Sequence, residues 1–103
     1  MPELQATYAA SFEREHGCTE LEWLSWLPGA VRDHELRLPA ASQALIVIGS
    51  GSLRLSWQVL PPRQLGMVRF PRLMVSYRFE AMGDKERVSF MRYFDLYMQR
   101  GGG

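Results

Sequence analysis

The sequence predicts an α+β domain of two layers, in which helices cover one face of an antiparallel sheet of about four strands. Apolar residues recur at helical spacing near both ends of the chain, whereas they alternate with polar residues through most of its middle. A period of about 3.6 residues is typical of helices, and a period of 2 is typical of strands. Glycine and proline separate these segments. The expected order of elements is α-α-β-β-β-β-α.

A first helix is predicted over residues 2–16. Leu4, Tyr8 and Phe12 recur every four residues, which would place them on one side of a helix. Gly17 follows at a position where a left-handed residue commonly ends a helix. This segment is therefore expected to be helical.

A short second helix is predicted from Glu20 to about Leu27, ending before Pro28 and Gly29. Thr19 and Glu22 have the spacing of a capping box, in which each side chain accepts a hydrogen bond from a free backbone N–H at the helix start. The residues expected on its inner side are Leu21, Leu24 and Leu27, flanked by Trp23 and Trp26.

Strand patterns follow the second helix. Residues 35–38 suit a short edge strand that Pro39 ends, and residues 44–48 are apolar on both faces. The glycines of "GSG" at 49–51 suit a hairpin turn, because glycine adopts a positive φ without steric cost. Two longer runs, SLRLSWQVL and LMVSYRF, alternate strictly. Their inward residues are expected to be Leu53, Leu55, Trp57 and Val59 in the first run and Leu73, Val75, Tyr77 and Phe79 in the second.

The segment LPPRQLGMVRFPRL, which joins these two runs, contains three prolines and three arginines. Residues 61–62, both proline, are interpreted as a loop that connects two strands. Val68 and Phe70 occupy even positions, although the inward set that begins at Leu73 is odd. Because strand side chains alternate, a bulge or kink is predicted near Pro71 and Arg72.

The last helix is predicted from Asp84 to about Gln99. Gly83 and Asp84 suit its start, and the glycines that follow Arg100 suit its end. We expect one α+β domain over residues 1–100 and a flexible glycine tail over residues 101–103. The apolar side of this helix is expected to carry Val88, Phe90, Met91, Phe94, Tyr97 and Met98, and the polar side Lys85, Ser89, Arg92, Asp95 and Gln99.

The composition is that of one globular domain, with 103 residues of which 47 % are hydrophobic and 22 % charged. The longest unbroken apolar run, residues 44–48, is much shorter than the roughly 20 residues that cross a bilayer. No segment has the pattern of a secretory signal. Cys18 is the single cysteine, so an internal disulfide is excluded. These observations predict a cytoplasmic protein without membrane association.

Charge is segregated along the chain despite a net charge of +1. Residues 1–35 contain seven acidic residues and two arginines, whereas residues 36–79 contain six arginines and no acidic residue. Either the two parts neutralise each other, within or between subunits, or the basic part binds an external anion. The arginines that form the candidate anion- or partner-binding set are Arg54, Arg63, Arg69, Arg72 and Arg78.

Residues suited to catalysis or to metal binding are sparse. Cys18 lies near His16 and precedes a predicted helix N-terminus, where the pKa of a thiol is lowered, so a nucleophilic cysteine is the enzymatic interpretation. Neither these two residues nor His34 with its acidic neighbours has the i, i+3 or i+4 spacing of metal ligands on one helix face. No metal, cofactor or catalytic site is predicted, and an enzyme is the least favoured of three functions.

The favoured function is binding to a protein partner or to a second copy of the chain. Residues 44–48 are apolar on both faces of a strand, and Leu60 and Met74 add apolar surface to the face that the helices do not cover. The alternative is an anion or RNA binder that uses the arginines. That alternative lacks aromatic side chains for base stacking beside the arginines, because the aromatic residues of the two long runs fall on the opposite face. The sequence therefore predicts a small interaction protein.

Overall fold

The computed structural model describes residues 7–102, which form a five-stranded antiparallel sheet with two helices on one side. The strands lie in the order β1-β5-β4-β3-β2. The predicted α+β class and antiparallel sheet are confirmed, but the predicted number of strands and the predicted element order are wrong. In chain order, the elements are β1 (Ser11–His16), α1 (Glu20–Ala30), β2 (Glu35–Arg37), β3 (Gln43–Ile48), β4 (Gly51–Leu65), β5 (Val68–Glu80) and α2 (Asp84–Gln99).

The prediction of a first helix is wrong for the residues that the structure describes. Its residues 11–16 form β1, which pairs antiparallel with β5, and its residues 2–6 lie outside the described part of the chain. A spacing of four residues is an even number, so Tyr8 and Phe12 fit a period of 2 as well as the turn of a helix. Phe12 stacks on Tyr77 of β5, with ring centroids 4.6 Å apart. The local sequence is therefore compatible with both a helix and a strand, and pairing with β5 determines that the segment is a strand.

The second predicted helix is confirmed as α1, including its capping box. Thr19 Oγ1 accepts a hydrogen bond from the Glu22 N–H at 3.1 Å, and Glu22 Oε1 accepts one from the Thr19 N–H at 2.9 Å. The helix is longer than predicted, because it continues through Pro28 and Gly29 to Ala30.

The buried side of α1 differs from the predicted one. Trp23 and Leu27 are fully buried, whereas Leu21 is 79 % exposed. The buried stripe thus follows an i, i+4, i+7 spacing that begins at Trp23. Close to its end, α1 approaches α2 so closely that a Cβ atom at Gly29 would lie 2.0 Å from the Tyr97 hydroxyl oxygen.

The core lies between the sheet and the two helices. All of the predicted inward residues of the two long runs are buried except Val59, which is 61 % exposed. Trp23 packs edge-on against Trp57 and Phe94, with ring centroids 5.8 and 6.1 Å apart. Trp57 Nε1 also donates a hydrogen bond to Glu20 Oε2 at 2.7 Å. Polar and apolar contacts together therefore hold α1 on the sheet.

The last helix is confirmed as α2, with one difference on its polar side. Asp95, predicted to lie on the polar side, is only 6 % exposed. It is buried because Tyr8 and Arg14, from the segment that precedes and includes β1, both donate hydrogen bonds to its carboxylate. Gly101 and Gly102 follow the helix with positive φ, and a side chain at Gly102 would collide with the ring of Trp26. Within residues 7–102, no helix is long and apolar enough to cross a membrane.

The hairpin of β4 and β5 is much longer than predicted. β4 runs through Pro61 and Pro62 to Leu65, so these prolines do not form a loop between strands. The chain turns at Gly66, whose φ of +60° favours glycine.

The predicted bulge lies close to its expected position, but the extra residue belongs to the other strand. Leu60 pairs with Arg72 and Arg63 pairs with Phe70, so two residues of β4 lie opposite the single residue Pro71 of β5. Such a bulge shifts the alternation of β4 by one residue.

Candidate functional site

The two sides of the sheet differ in composition. One side packs against the helices; we call the other the open face, because neither helix covers it within residues 7–102. Its side chains alternate with the buried ones and are half-buried or exposed. They are Ser11, Glu13 and Glu15 on β1; Glu35 and Arg37 on β2; Gln43, Leu45 and Val47 on β3; Ser52, Arg54, Ser56 and Gln58 on β4; and Arg72, Met74, Ser76, Arg78 and Glu80 on β5.

The hairpin of β4 and β5 extends beyond the neighbouring strands. We call this extension, residues 59–72, the arm. β1 pairs with β5 only as far as Leu73, and β3 pairs with β4 only as far as Ser56. Beyond these positions the two strands pair only with each other, and residues 61–70 are all exposed. The described chain is correspondingly elongated, with dimensions of 47 × 33 × 23 Å.

Apolar side chains change sides of the sheet where the arm begins. β5 keeps its alternation, so Val68 and Phe70 lie on the same side as the open face. The bulge shifts β4 by one residue, which brings Arg63 and Leu65 to that side as well, opposite Phe70 and Val68. In the core, the apolar side chains of β4 and β5 lie on the helix side. In the arm, the apolar side chains of the same two strands lie on the side of the open face. This change accounts for the conflict between even and odd positions in the sequence.

We call the resulting surface the apolar patch, which consists of Leu60, Leu65, Val68 and Phe70. Three of these side chains are strongly exposed: Leu65 at 62 %, Val68 at 53 % and Phe70 at 46 %. A groove of about 270 Å³ adjoins the patch at the base of the arm. Its lining residues are Glu15, Gly17, Arg63, Leu65, Phe70, Pro71 and Arg72.

Prolines occupy the backbone edges of the arm. The N–H of Trp57 points toward the neighbouring strand and donates to Ser42, and the N–H of Phe79 points away from β4 and donates to Ala10. By strand alternation, Pro61 and Pro71 occupy the corresponding outward-pointing positions in the arm. Since proline has no N–H, these edges are poor sites for the addition of another strand. Binding at the arm would therefore use its side chains.

Four of the five arginines in the predicted binding set share this side of the sheet. Arg54 and Arg78 are directly opposite each other on β4 and β5, and Arg54 Nε lies 3.6 Å from Glu80 Oε1. Arg63 and Arg72 are on the same side at the arm. Arg69 pairs with Gln64, which places it on the helix side of the arm and apart from the others.

Acidic residues of β1 neutralise part of this arginine set. Arg72 Nη2 donates to Glu15 Oε1 at 2.9 Å, and this hydrogen bond lowers the pKa of the Glu15 carboxyl. Arg63 Nη2 lies 3.9 Å from Glu15 Oε2. The acid-rich and arginine-rich parts of the sequence therefore meet within one chain, on neighbouring strands.

The open face and the arm together carry both signs of charge. Sequence reasoning missed Glu13 and Glu15 because residues 11–16 were expected to be helical; the alternation in SFEREH was the signal that could have revealed these two residues. The charged side chains on this side are Arg37, Arg54, Arg63, Arg72 and Arg78 against Glu13, Glu15, Glu35 and Glu80.

A polar cluster on the helix side, also missed from the sequence, connects β1 to α2. Arg14 Nη1 donates a hydrogen bond to Asp95 Oδ1 at 2.7 Å, and the Tyr8 hydroxyl donates to Asp95 Oδ2. Burial, with the hydrogen bond to Asp95, raises the pKa of Tyr8 to about 12. The Tyr8 hydroxyl therefore remains protonated at neutral pH and acts as a donor.

His16 and Tyr77 form a second polar contact on the same side. His16 Nε2 lies 2.6 Å from the Tyr77 hydroxyl oxygen, and the imidazole ring packs against Trp23 with centroids 5.0 Å apart. Burial, together with the charge of Arg14, lowers the pKa of His16 to about 4. Burial also raises the pKa of Tyr77. At neutral pH a neutral imidazole and a protonated hydroxyl thus share one hydrogen bond.

The environment of Cys18 does not favour nucleophilic chemistry. Its side chain is only 3 % exposed, and burial, with a smaller effect of the Glu22 charge, raises its pKa to about 11. The thiolate that a nucleophile requires is therefore scarce at neutral pH. Among residues 7–102, no group of three His, Cys, Asp or Glu side chains is placed to hold a metal ion.

Comparison with known proteins adds no assignment. No family model, curated protein or solved structure matches the chain. The open face, the arm and its apolar patch are the features that suggest a function, because they combine exposed apolar side chains with charges of both signs.

Proposed function

We propose that this protein is an interaction protein that associates with a second copy of itself through the open face and the arm. The observation that supports this proposal is the change of side by the apolar residues where the arm begins. The inward residues of β4 and β5 serve the core, whereas Leu65, Val68 and Phe70 lie on the opposite side and are exposed. Contiguous apolar surface with a polar rim is typical of protein interfaces.

Burial of the apolar patch would contribute to association. Full burial of a Val, Leu or Phe side chain contributes about 1.5–3 kcal/mol. Since Leu65, Val68 and Phe70 are about half exposed, we expect about 1 kcal/mol from each. The patch is therefore suited to be the energetic centre of an interface.

The mixed charge favours a protein over a polyanion. Four glutamates share the open face and the arm with the five arginines, so this side has almost no net charge. Nucleic-acid surfaces need an excess of positive charge and usually several exposed aromatic rings. Phe70 is the one aromatic side chain among the open-face and patch positions given above. An RNA or anion binder is therefore the weaker alternative.

A second copy fits the same surface. A two-fold interface brings one patch onto itself, and charges of both signs around an apolar patch allow opposite charges to meet there. The 15 residues of β4 extend over roughly 50 Å at about 3.3 Å per residue, and the sheet is five strands wide. A stable interface buries about 800 Å² on each partner, which requires only part of such a surface.

The reducing environment of the cytoplasm remains part of the proposal. Cys18 is the single cysteine and is buried. A protein without a disulfide framework is typical of reducing compartments.

The test is the mass of the protein in solution, measured by sedimentation equilibrium on the order of tens of micromolar. The wild-type chain is expected to be a dimer. Phe70→Glu places a charge in the apolar patch and is expected to raise the dissociation constant at least about tenfold. Arg69→Glu is the matched control, because it makes a larger charge change on the other side of the arm and should leave the dimer intact. Both side chains lie on the exposed arm, so both variants should keep the circular-dichroism spectrum and thermal midpoint of the wild type.

A wild-type monomer at these concentrations would contradict the proposal, as would a Phe70→Glu variant that dimerises like the wild type. The alternative is checked with single-stranded RNA in a filter-binding assay. RNA retention that is lost between low and moderate salt, in a monomeric protein, would favour an RNA binder and overturn self-association.

A further inference from the structure

Along β5, the surface formed by the open face and the arm is apolar only towards the arm; elsewhere the open face carries the half-buried Leu45 and Val47 of β3. Along β5, the open-face side chains from Glu80 to Arg72 include two arginines, a serine and one glutamate, and Met74 is the only apolar side chain among them. In the arm, the same side of β5 carries Phe70 and Val68. Phe70 lies six residues from Ser76 in the middle of the open face, a distance of about 20 Å at roughly 3.3 Å per residue. The two ends of this surface therefore suit different neighbours.

From this arrangement we infer where the two copies meet: the two-fold axis passes through the arm beside Phe70, and the apolar patch of one arm packs on the patch of the other. This inference rests on the proposed self-association. An axis through the middle of the open face would instead place the Phe70 side chain on a polar part of the second copy. An apolar side chain that is buried against charged groups loses the benefit of burial, because those groups are desolvated.

Charge repulsion supports the same location for the axis. Arg54 and Arg78 are cross-strand neighbours in the body of the open face, with Arg37 in the same row across the sheet through Leu45. Superposing two such rows in one interface would bring like charges together, which is unfavourable. Contact between the arms avoids this, since the bodies of the two sheets can diverge from the crossing point.

The arms are expected to meet by their faces and not by their edges. Pro61 and Pro71 remove backbone donors from the outward positions of the two arm strands, so a continuous sheet across the two subunits is disfavoured. Face-to-face packing needs only the side chains of the patch. It also matches the change of side that brings Leu65 next to Val68 and Arg63 next to Phe70.

Glu15 can extend the contact at the rim of the patch. Its carboxylate is held closely by Arg72, at 2.9 Å, but only loosely by Arg63, at 3.9 Å. Because Arg63 is exposed, its guanidinium can pair with Glu15 of the second copy without breaking a close contact in its own subunit. Opposite charges would then surround the buried patch on both sides of the axis.

Cysteine cross-linking tests the position of the axis. A disulfide forms only when two Cα atoms lie within about 7 Å, so a single introduced cysteine links to its own copy only near a two-fold axis. Phe70→Cys is expected to form a covalent dimer under mild oxidation, as seen on a non-reducing gel. Val68→Cys, on the same side of the arm, is a second variant in case the loss of Phe70 weakens the dimer. Native Cys18 should not interfere, because it is buried.

Two matched controls distinguish the arm from the rest of the surface. Ser76→Cys lies in the middle of the open face, and Arg69→Cys lies on the other side of the arm; neither is expected to cross-link at an appreciable rate. If Ser76→Cys links faster than both patch variants in a protein that sediments as a dimer, the inference is wrong and the proposed self-association stands. If both patch variants link no faster than Arg69→Cys, the inference is also wrong. A wild-type chain that sediments as a monomer refutes both proposals.

Discussion

Acidification is expected to destabilise the fold through His16. The imidazole lies on the helix side of β1, against Trp23, with its Nε2 atom 2.6 Å from the Tyr77 hydroxyl oxygen. Burial and the nearby charge of Arg14 lower its pKa to about 4, and the charge of Asp95 opposes this only partly. Protonation of His16 in the folded state would place a second positive charge beside Arg14 in a largely buried site.

The direction and the size of the effect follow from the two pKa values. In the unfolded chain the histidine has a pKa of 6.5, so between pH 6.5 and about 4 the unfolded state binds a proton that the folded state does not. The folded state therefore loses stability as the pH falls through this window. Each unit of pKa difference corresponds to about 1.36 kcal/mol, which gives a loss of about 3 kcal/mol by pH 4.

Urea unfolding, followed by tryptophan fluorescence at several pH values between 7.5 and 4.5, measures this loss. His16→Gln is the control variant, because the amide keeps a hydrogen bond to Tyr77 but does not titrate. Protonation of carboxylates affects both proteins, so the contribution of His16 is the difference between their slopes. The free energy of unfolding of the wild type should fall more steeply with acidification below pH 6.5. Parallel curves for the two proteins would refute the assignment of a half-buried, neutral His16.

Three further predictions concern buried positions. Asp95→Asn should lower the free energy of unfolding by about 2–4 kcal/mol in urea titrations, because it leaves Arg14 without its carboxylate, and an unchanged midpoint would refute that role. Gly29→Ala should cost about 1–3 kcal/mol, since its Cβ atom would collide with the end of the Tyr97 side chain; a thermal midpoint equal to that of the wild type would show that the Tyr97 ring moves aside at little cost. Cys18 should react with a thiol reagent far more slowly in the folded protein than in urea, and equal rates would contradict its burial.

Local sequence signals predicted the elements whose start or turn is determined by residues close together in the chain. The capping box of α1 begins with Thr19 and Glu22, which lie within one helical turn and need no distant partner. The hairpin between β3 and β4 has Gly49 in the turn itself, with the positive φ that such turns require. In each case the residues that determine the structure are close together in the chain.

The sequence pattern did not predict features that depend on contacts between residues far apart in the chain. Phe12 has the spacing of a helix, but its segment pairs with β5, about 65 residues later in the chain. Asp95 has the spacing of a solvent-exposed helical residue, but Arg14 from β1 meets it in the core. Once β1 was interpreted as a helix, Glu13 and Glu15 could not be placed beside the arginines of β5. The error in one element therefore concealed the balance of charge on the open face.

The candidate site was only partly visible from the sequence. The conflict in parity between Phe70 and Leu73 correctly indicated an irregularity near Pro71. It could not show which strand of the pair would carry the extra residue, because a bulge is a property of the pairing and not of either strand alone. That choice determines whether Arg63, Leu65 and Phe70 lie on the side of the open face or on the helix side.

The bulge also makes the surface and the core separately variable in evolution. Deletion of Pro62 would remove the extra residue and the local twist that accompanies a bulge, while Arg63 and Leu65 would still lie opposite Phe70 and Val68 and the buried residues before Val59 would keep their positions. A one-codon deletion at this point can therefore change the direction in which the arm presents its side chains, while the core that folds the domain stays the same.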